Sequence, residues 1–267
     1  MRFLLLALLP ILSAGAVAAT ERLHTVCQIF VDEQGQSVLQ EGKCNIRQSP
    51  ASTFKVALAL MGFDSGELQD ANHPKWPFKK GYDSYLAEWK QETDPARWMR
   101  HSVLWYSKQL ALKLGEDRTA AYLKALNYGN QNMRGHKGAV PLTSFWLGSS
   151  LQISPIEQAE LMRKMMMGHL SLSQHSVQET ITLMDHGAAQ NGWRIYGKTG
   201  SGRERDGKGQ AKQNFGWFVG FATKGDQRLA FARLIQSPVK EVKSLGLLAR
   251  DQLIDTYFTK PLSFKSN

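Results

Sequence analysis

Only two cysteines, Cys27 and Cys44, occur among the 267 residues, too few for a disulfide-stapled miniature fold or a cysteine-built metal site. The seven histidines are dispersed. Neither His-x-His nor His-Glu-x-x-His spacing occurs, so no ligand set is visible and no metal is expected. No internal repeat is visible either. Beyond the N-terminus no apolar run approaches the ~20 residues that span a bilayer, so no membrane span is expected. The net charge is +10, yet there is no basic helix and no basic stripe interleaved with aromatics. Scattered Lys and Arg argue against nucleic acid as a partner and for a basic surface that helps anionic small molecules approach.

What is present is a full globular complement. With 42% hydrophobic and 21% charged residues, the chain can bury a core without a metal or partner. Arg2, the apolar stretch from Phe3 to Leu12 and then Ala16-Val17-Ala18 read as an export leader over residues 1–18, cut after Ala18 or Ala19. A single domain over 19–267 remains. Export implies an oxidising compartment for the cysteines. They flank a hairpin: a strand from His24 to Asp32, a turn at Glu33-Gln34-Gly35-Gln36 and a return strand from Ser37 to Gly42. A structural Cys27–Cys44 disulfide is preferred over two buried free thiols.

Helical spacing marks 53–62, Ser84 to Trp89, Ala96 to Leu114, Arg118 to Leu126 and Pro155 to His169, the last opening with Ser154-Pro155 and Glu157. Strand patterns follow at Trp193 to Lys198, Phe215 to Thr223 and Leu229 to Gln236, and Val242 to Phe258 reads as a closing helix. This order predicts an α+β fold: an antiparallel sheet made from both chain ends, flanked by the first and last helices, with a helical lobe inserted between. Met165-Met166-Met167 reads as packing, and Gly202 to Gln213 as a solvated hairpin loop able to rim a cleft.

The sharpest local signal is Ser52-Thr53-Phe54-Lys55 before the apolar run Val56 to Met61. Three-residue spacing on a helix puts hydroxyl and amine on one face, so the amine can act on the hydroxyl proton. The alternative is an N-capping serine beside a snorkelling lysine. The same spacing in Ser237-Pro238-Val239-Lys240 follows a strand and has no apolar helical run behind it. Far downstream, Lys198-Thr199-Gly200 ends a strand with an ammonium, a hydroxyl and a residue without a side chain. Such an edge can hold an acyl substrate by main-chain pairing, or simply turn. Serine-x-x-lysine on a helix followed by lysine-threonine-glycine on a strand is the signature of the penicilloyl-serine transferases.

The chain resembles the class D (oxacillinase-type) serine beta-lactamases. The resemblance runs through nearly all of the mature chain: the hairpin flanked by Cys27 and Cys44, Ser52 to Lys55, Trp98-Met99, Ser102-Val103-Leu104, Tyr128-Gly129-Asn130, Trp146-Leu147 ahead of Ile153-Ser154-Pro155, Tyr196 to Gly200, and Gly216-Trp217-Phe218-Val219-Gly220. The Tyr-Gly-Asn element separates this class from other serine beta-lactamases.

The resemblance implies hydrolysis of the beta-lactam amide through a Ser52 acyl-enzyme, and with it antibiotic resistance. It implies an oxyanion hole from the Ser52 and Ser201 backbone N–H groups, a proton relay through Ser102 and a positive field from Lys198. Thr199, Gly200, Ser201 and Arg250 would meet substrate, although the register at Arg250 is open and a solvated helix face is its alternative. Carbon dioxide or bicarbonate would convert Lys55 to a carbamate base, which needs an amine kept neutral by an apolar wall. Phe54, Val103, Leu104 and Trp146 supply that wall, the Trp146 indole donating to the carbamate. Leu104 stands where the family has valine. A periplasmic monomer or homodimer is expected. A penicillin sensor or transpeptidase-like domain, which acylates without turnover, is the alternative function.

Overall fold

The computed structural model describes residues 23–189, 191–205, 211–238 and 244–259. The leader and its cleavage point, Lys240, and the first residues of the expected closing helix, Val242 and Lys243, lie outside them. The sheet has six antiparallel strands: β1 (His24–Val31), β2 (Ser37–Gly42), β3 (Asp185–Ala188), β4 (Arg194–Arg205), β5 (Ala211–Lys224) and β6 (Gln227–Ser237), in the order β2-β1-β6-β5-β4-β3. The pairing of β1 with β6, Ile29 opposite Ala232 and Phe30 opposite Phe231, closes the sheet from both chain ends as the α+β reading expects. A disulfide joins Cys27 to Cys44 across the hairpin.

Strand β5 shows how the sheet serves two layers. Phe215, Trp217, Val219 and Phe221 alternate into the core shared with the helical lobe, while Phe218 and Ala222 face the core beneath the C-terminal helix. The glycines of the Gly216 to Gly220 element permit close approach. A Cβ on Gly216 would fall 2.2 Å from the Leu245 backbone, and one on Gly220 would fall 1.9 Å from the Tyr196 carbonyl.

The helices are α1 (Phe54–Asp64), α2 (Pro95–His101), α3 (Leu104–Ala125), α4 (Pro155–Met166), α5 (Gln174–Leu183) and α6 (Leu245–Tyr257). Every residue of α1 from Phe54 to Phe63 is buried, which is why its sequence, Lys55 apart, is apolar all round rather than striped. Ser154 and Glu157 close a capping box on α4, and Met165 is wholly buried there.

Several expectations are corrected. Ser84 to Trp89 forms only a 3-10 turn at Ala87–Trp89. The expected helix from Ala96 to Leu114 is two helices, because Ser102 adopts a left-handed conformation, φ 53°, at the end of α2. Gly115, at φ 76°, then breaks α3, so the helix expected from Arg118 is the continuation of α3. Most of Gly202 to Gln213 is strand rather than loop, with Gly202 opposite Phe215 and Glu204 opposite Gln213; ladder hydrogen bonds override the turn-rich composition. Residues 206–210 of that segment are not among the described ones. Helix α5 and the four-residue β3 carry no period strong enough to read from sequence.

Candidate active site

Ser52 lies on a 3-10 turn, Ala51–Thr53, immediately ahead of α1. Three parts of the fold clamp this turn. The Trp146 carbonyl accepts from the Ala51 N–H at 3.1 Å and from the Ser49 hydroxyl at 2.8 Å. From β5, the Trp217 indole donates to the Ser49 carbonyl at 2.9 Å. From α4, Gln158 donates to the Thr53 hydroxyl at 2.9 Å, which itself donates to the Pro50 carbonyl at 2.8 Å. The N-capping alternative fails, since Pro50 and Thr53 hold the cap positions of the turn and of α1, with no side-chain cap bond.

Lys55 does not snorkel. It is 1% exposed, and its Nζ has no hydrogen-bond partner among the described residues. The preceding ring, Phe54, packs against Tyr128, Phe145 and Trp146 at 5.5, 5.2 and 5.3 Å, and Val103 and Trp146 are buried in the same core. Burial, and secondarily the charge of Lys198, holds the Lys55 amine well below the ordinary lysine range. Leu104, the departure from the family valine, is half-buried as the first residue of α3 and packs on this core.

Lys198 donates from Nζ to the Ser102 hydroxyl at 2.6 Å and to the Thr199 carbonyl at 3.0 Å. The left-handed backbone at Ser102 turns its hydroxyl out of the α2–α3 corner toward β4. Lys198 is 4% exposed. Burial first, then the Arg250 charge, pulls its amine down to about 7.

Strand β3 pairs with β4 only through Asp185–Tyr196 and Ala188–Arg194, so the edge from Lys198 onward is not covered by that neighbour. A Cβ on Gly200 would lie 2.9 Å from the Pro50 carbonyl and 3.1 Å from the Thr53 nitrogen. Glycine is therefore what lets β4 run against the Ser52 turn. The Ser201 hydroxyl meets that of Ser244 at 2.8 Å and accepts from the Gly246 N–H at 2.8 Å, tying β4 to the start of α6. Arg250, whose register the sequence left open, lines a cavity of about 520 Å³ together with Lys198 and Thr199 and bonds to Asp251.

Tyr128-Gly129-Asn130 follows α3, with the Tyr128 ring against Phe54. Gly129 has φ 52°, and a Cβ there would meet the Gln152 carbonyl at 2.1 Å. The Asn130 side chain accepts from the Gln152 N–H at 3.0 Å and donates to the Ser150 carbonyl at 2.8 Å. Sequence reasoning missed His186, which meets the Gly197 carbonyl through Nε2 at 3.1 Å, and Phe145 beside Phe54. Asp185-His186-Gly187-Ala188 has no β-branched alternation to announce a strand, and Phe145 sits in irregular chain. Among the described residues no cluster of His, Cys, Asp or Glu could hold a metal, and no helix is long and apolar enough to cross a membrane.

A serine on a turn before a buried helix, facing a lysine-bearing strand edge, defines a penicillin-binding type of serine site. The family described as "Penicillin binding protein transpeptidase domain" matches residues 20–254. Beta-lactamase OXA-9 of Klebsiella pneumoniae is 37% identical over 262 residues, covering 95% of this chain and 96% of that protein. The crystal structure of OXA-427, a class D beta-lactamase, shares a TM-score of 0.81 and 40% identity, covering 86% of this chain and 95% of that one. The C-terminal domain of the Bacillus licheniformis BlaR penicillin-receptor shares a TM-score of 0.77 at 26% identity, covering 91% and 94%. The chain belongs to the class D beta-lactamases within the transpeptidase-domain family.

Proposed function

We propose that this chain hydrolyses the amide of penicillins and related beta-lactams through an acyl-enzyme on Ser52, conferring resistance to them. The observation that carries the reading is the Lys55 amine: enclosed, without a hydrogen-bond partner among the described residues, and three residues beyond Ser52. An ammonium so placed would be an unpaired buried charge, so the amine is kept neutral. A neutral amine is what reaction with carbon dioxide requires, and Lys55 with Val103, Leu104 and Trp146 fits a carbamate. That group, when present, supplies the general base for acylation and deacylation.

Ser52 is the nucleophile, and the backbone N–H groups of Ser52 and Ser201 form the oxyanion hole. The close approach of Gly200 to the Ser52 turn supports that placement. Because the Ser102 oxygen accepts from Lys198, its own proton is free to pass to the leaving nitrogen. Thr199, Ser201 and Arg250 receive the substrate carboxylate, with Lys198 keeping the field positive. The leader and the Cys27–Cys44 disulfide support export to the periplasm.

Chromogenic beta-lactam hydrolysis with and without bicarbonate tests this, followed by intact mass of the quenched protein and its Ser52→Ala variant. Turnover that rises with bicarbonate and is lost in the variant is expected. A stable Ser52 adduct without turnover would instead make the chain a sensor or transpeptidase-like domain, and no adduct would overturn the site.

A further inference from the structure

The 520 Å³ cavity that contains Lys198, Thr199 and Arg250 does not include Ser52 or Ser102 in its walls. Acyl transfer at Ser52 and proton transfer at Ser102 therefore leave this space to another part of the substrate. Its volume is that of a small-molecule subsite. On the reading above the ring carboxylate meets Thr199 and Arg250, both in the wall of this cavity, so a substituent on the carboxylate-bearing ring is the part of the substrate set beside it.

Its walls combine apolar surface with an excess of positive charge. Met99 and Met184 are buried and, with Ala96 and Leu247, give it apolar sides, while Arg100 on α2 and Arg250 on α6 both line the same space. Asp185 is the one carboxylate in the lining, and it is already engaged by Arg194 and by the Gly187 N–H at 2.8 Å. Arg100 is exposed and makes no salt bridge among the described residues. His186, also in the lining, has its Nε2 committed to the Gly197 carbonyl. Because Arg100 is exposed, a contact it makes in this cavity is open to screening by salt.

We propose that this cavity is a specificity subsite for a negatively charged substituent on the carboxylate-bearing ring of the substrate, with Arg100 as the residue that selects the charge. The inference rests on the beta-lactam hydrolase reading above and adds to it a preferred substrate class, dianionic beta-lactams.

The test compares kcat/KM for three beta-lactams identical except for that substituent: a carboxylate, the corresponding primary amide and an amine of similar size. In the unaltered protein the carboxylate compound is expected to lead, and its advantage over the amide to shrink as salt rises. Arg100→Gln is expected to lower the carboxylate-to-amide ratio about tenfold, the scale of one charge-assisted contact, and Arg100→Lys to restore much of it. A ratio that is the same in the unaltered protein and Arg100→Gln overturns the inference while leaving the hydrolase reading intact. No turnover of any of the three by the unaltered protein overturns both.

Discussion

Lys198 on the sheet and Ser102 at the left-handed end of α2 are 96 residues apart and meet in a 2.6 Å hydrogen bond. It is a direct side-chain link between α2 and β4, and it depends on a lysine whose charge the fold disfavours.

That cost gives stability a pH dependence. Lys198 has a pKa of about 7 in the fold and about 10.4 unfolded. Between those values the unfolded chain binds more protons, so stability rises with pH and is lost as pH falls toward 7. Lys55, also lowered, acts in the same sense. Unfolding free energies from urea titrations at pH 7 and pH 9 should rise with pH, by up to about 1.4 kcal/mol per unit for Lys198, and the rise should be smaller in Lys198→Met. An identical slope in that variant would contradict the assignment.

Lys55→Met should separate stability from activity. Replacing an unpartnered buried amine by a thioether of similar shape is expected to raise the unfolding free energy by about 1 kcal/mol or more. Turnover should drop by about a thousandfold or more, the loss of a general base compounded over two steps. Thermal unfolding and single-turnover kinetics on one preparation decide it, and a destabilised variant would argue that Lys55 has a structural partner.

Gly200→Ala should damage chemistry more than folding. Its methyl group meets the Pro50 carbonyl and Thr53 nitrogen, so relief requires shifting the turn that carries Ser52. A fall in kcat/KM of about a hundredfold is expected, whereas an alanine at Gly129, with φ 52° and a 2.1 Å clash, should cost mainly stability, about 2 kcal/mol or more. Equal kinetic losses in both would remove the special role given to Gly200.

Replacing Cys27 and Cys44 together with alanine opens a 17-residue separation and should cost about 3 kcal/mol of stability. The disulfide closes the β1–β2 hairpin, away from the Lys198 edge, so kcat measured well below the unfolding midpoint should stay within about twofold. A large loss of kcat in a fully folded variant would show coupling between hairpin and site.

The parts legible in sequence were those with a short-range cause. The apolar run Val56 to Met61 announced a helix, Ser154 to Glu157 a helix start, and the strand periods of β5 and β6 the sheet. The hairpin cysteines and Lys198-Thr199-Gly200 were equally local. Elements whose form depends on distant partners were read wrongly or not at all. Ala96 to Leu114 has unbroken helical spacing, yet Ser102 turns left-handed inside it; β3 pairs with β4 despite a composition that favours turns; and the strand ladder extends through Gly202 to Arg205 because Ala211 to Phe215 is there to pair with it.

The same division holds at the site. Sequence alone determined which chemical groups are available and in which order, because serine and lysine three residues apart share a helical face, and glycine after lysine-threonine leaves a bare strand edge, whatever the rest of the chain does. Only the tertiary structure decided that the Lys55 amine is buried with no partner among the described residues, that Ser102 faces Lys198, and that Arg250 and Arg100 share one cavity. Those facts depend on which atoms from remote segments remove water from an amine or bring a cation within reach, and desolvation and charge proximity are properties of packing in space with no period along the chain.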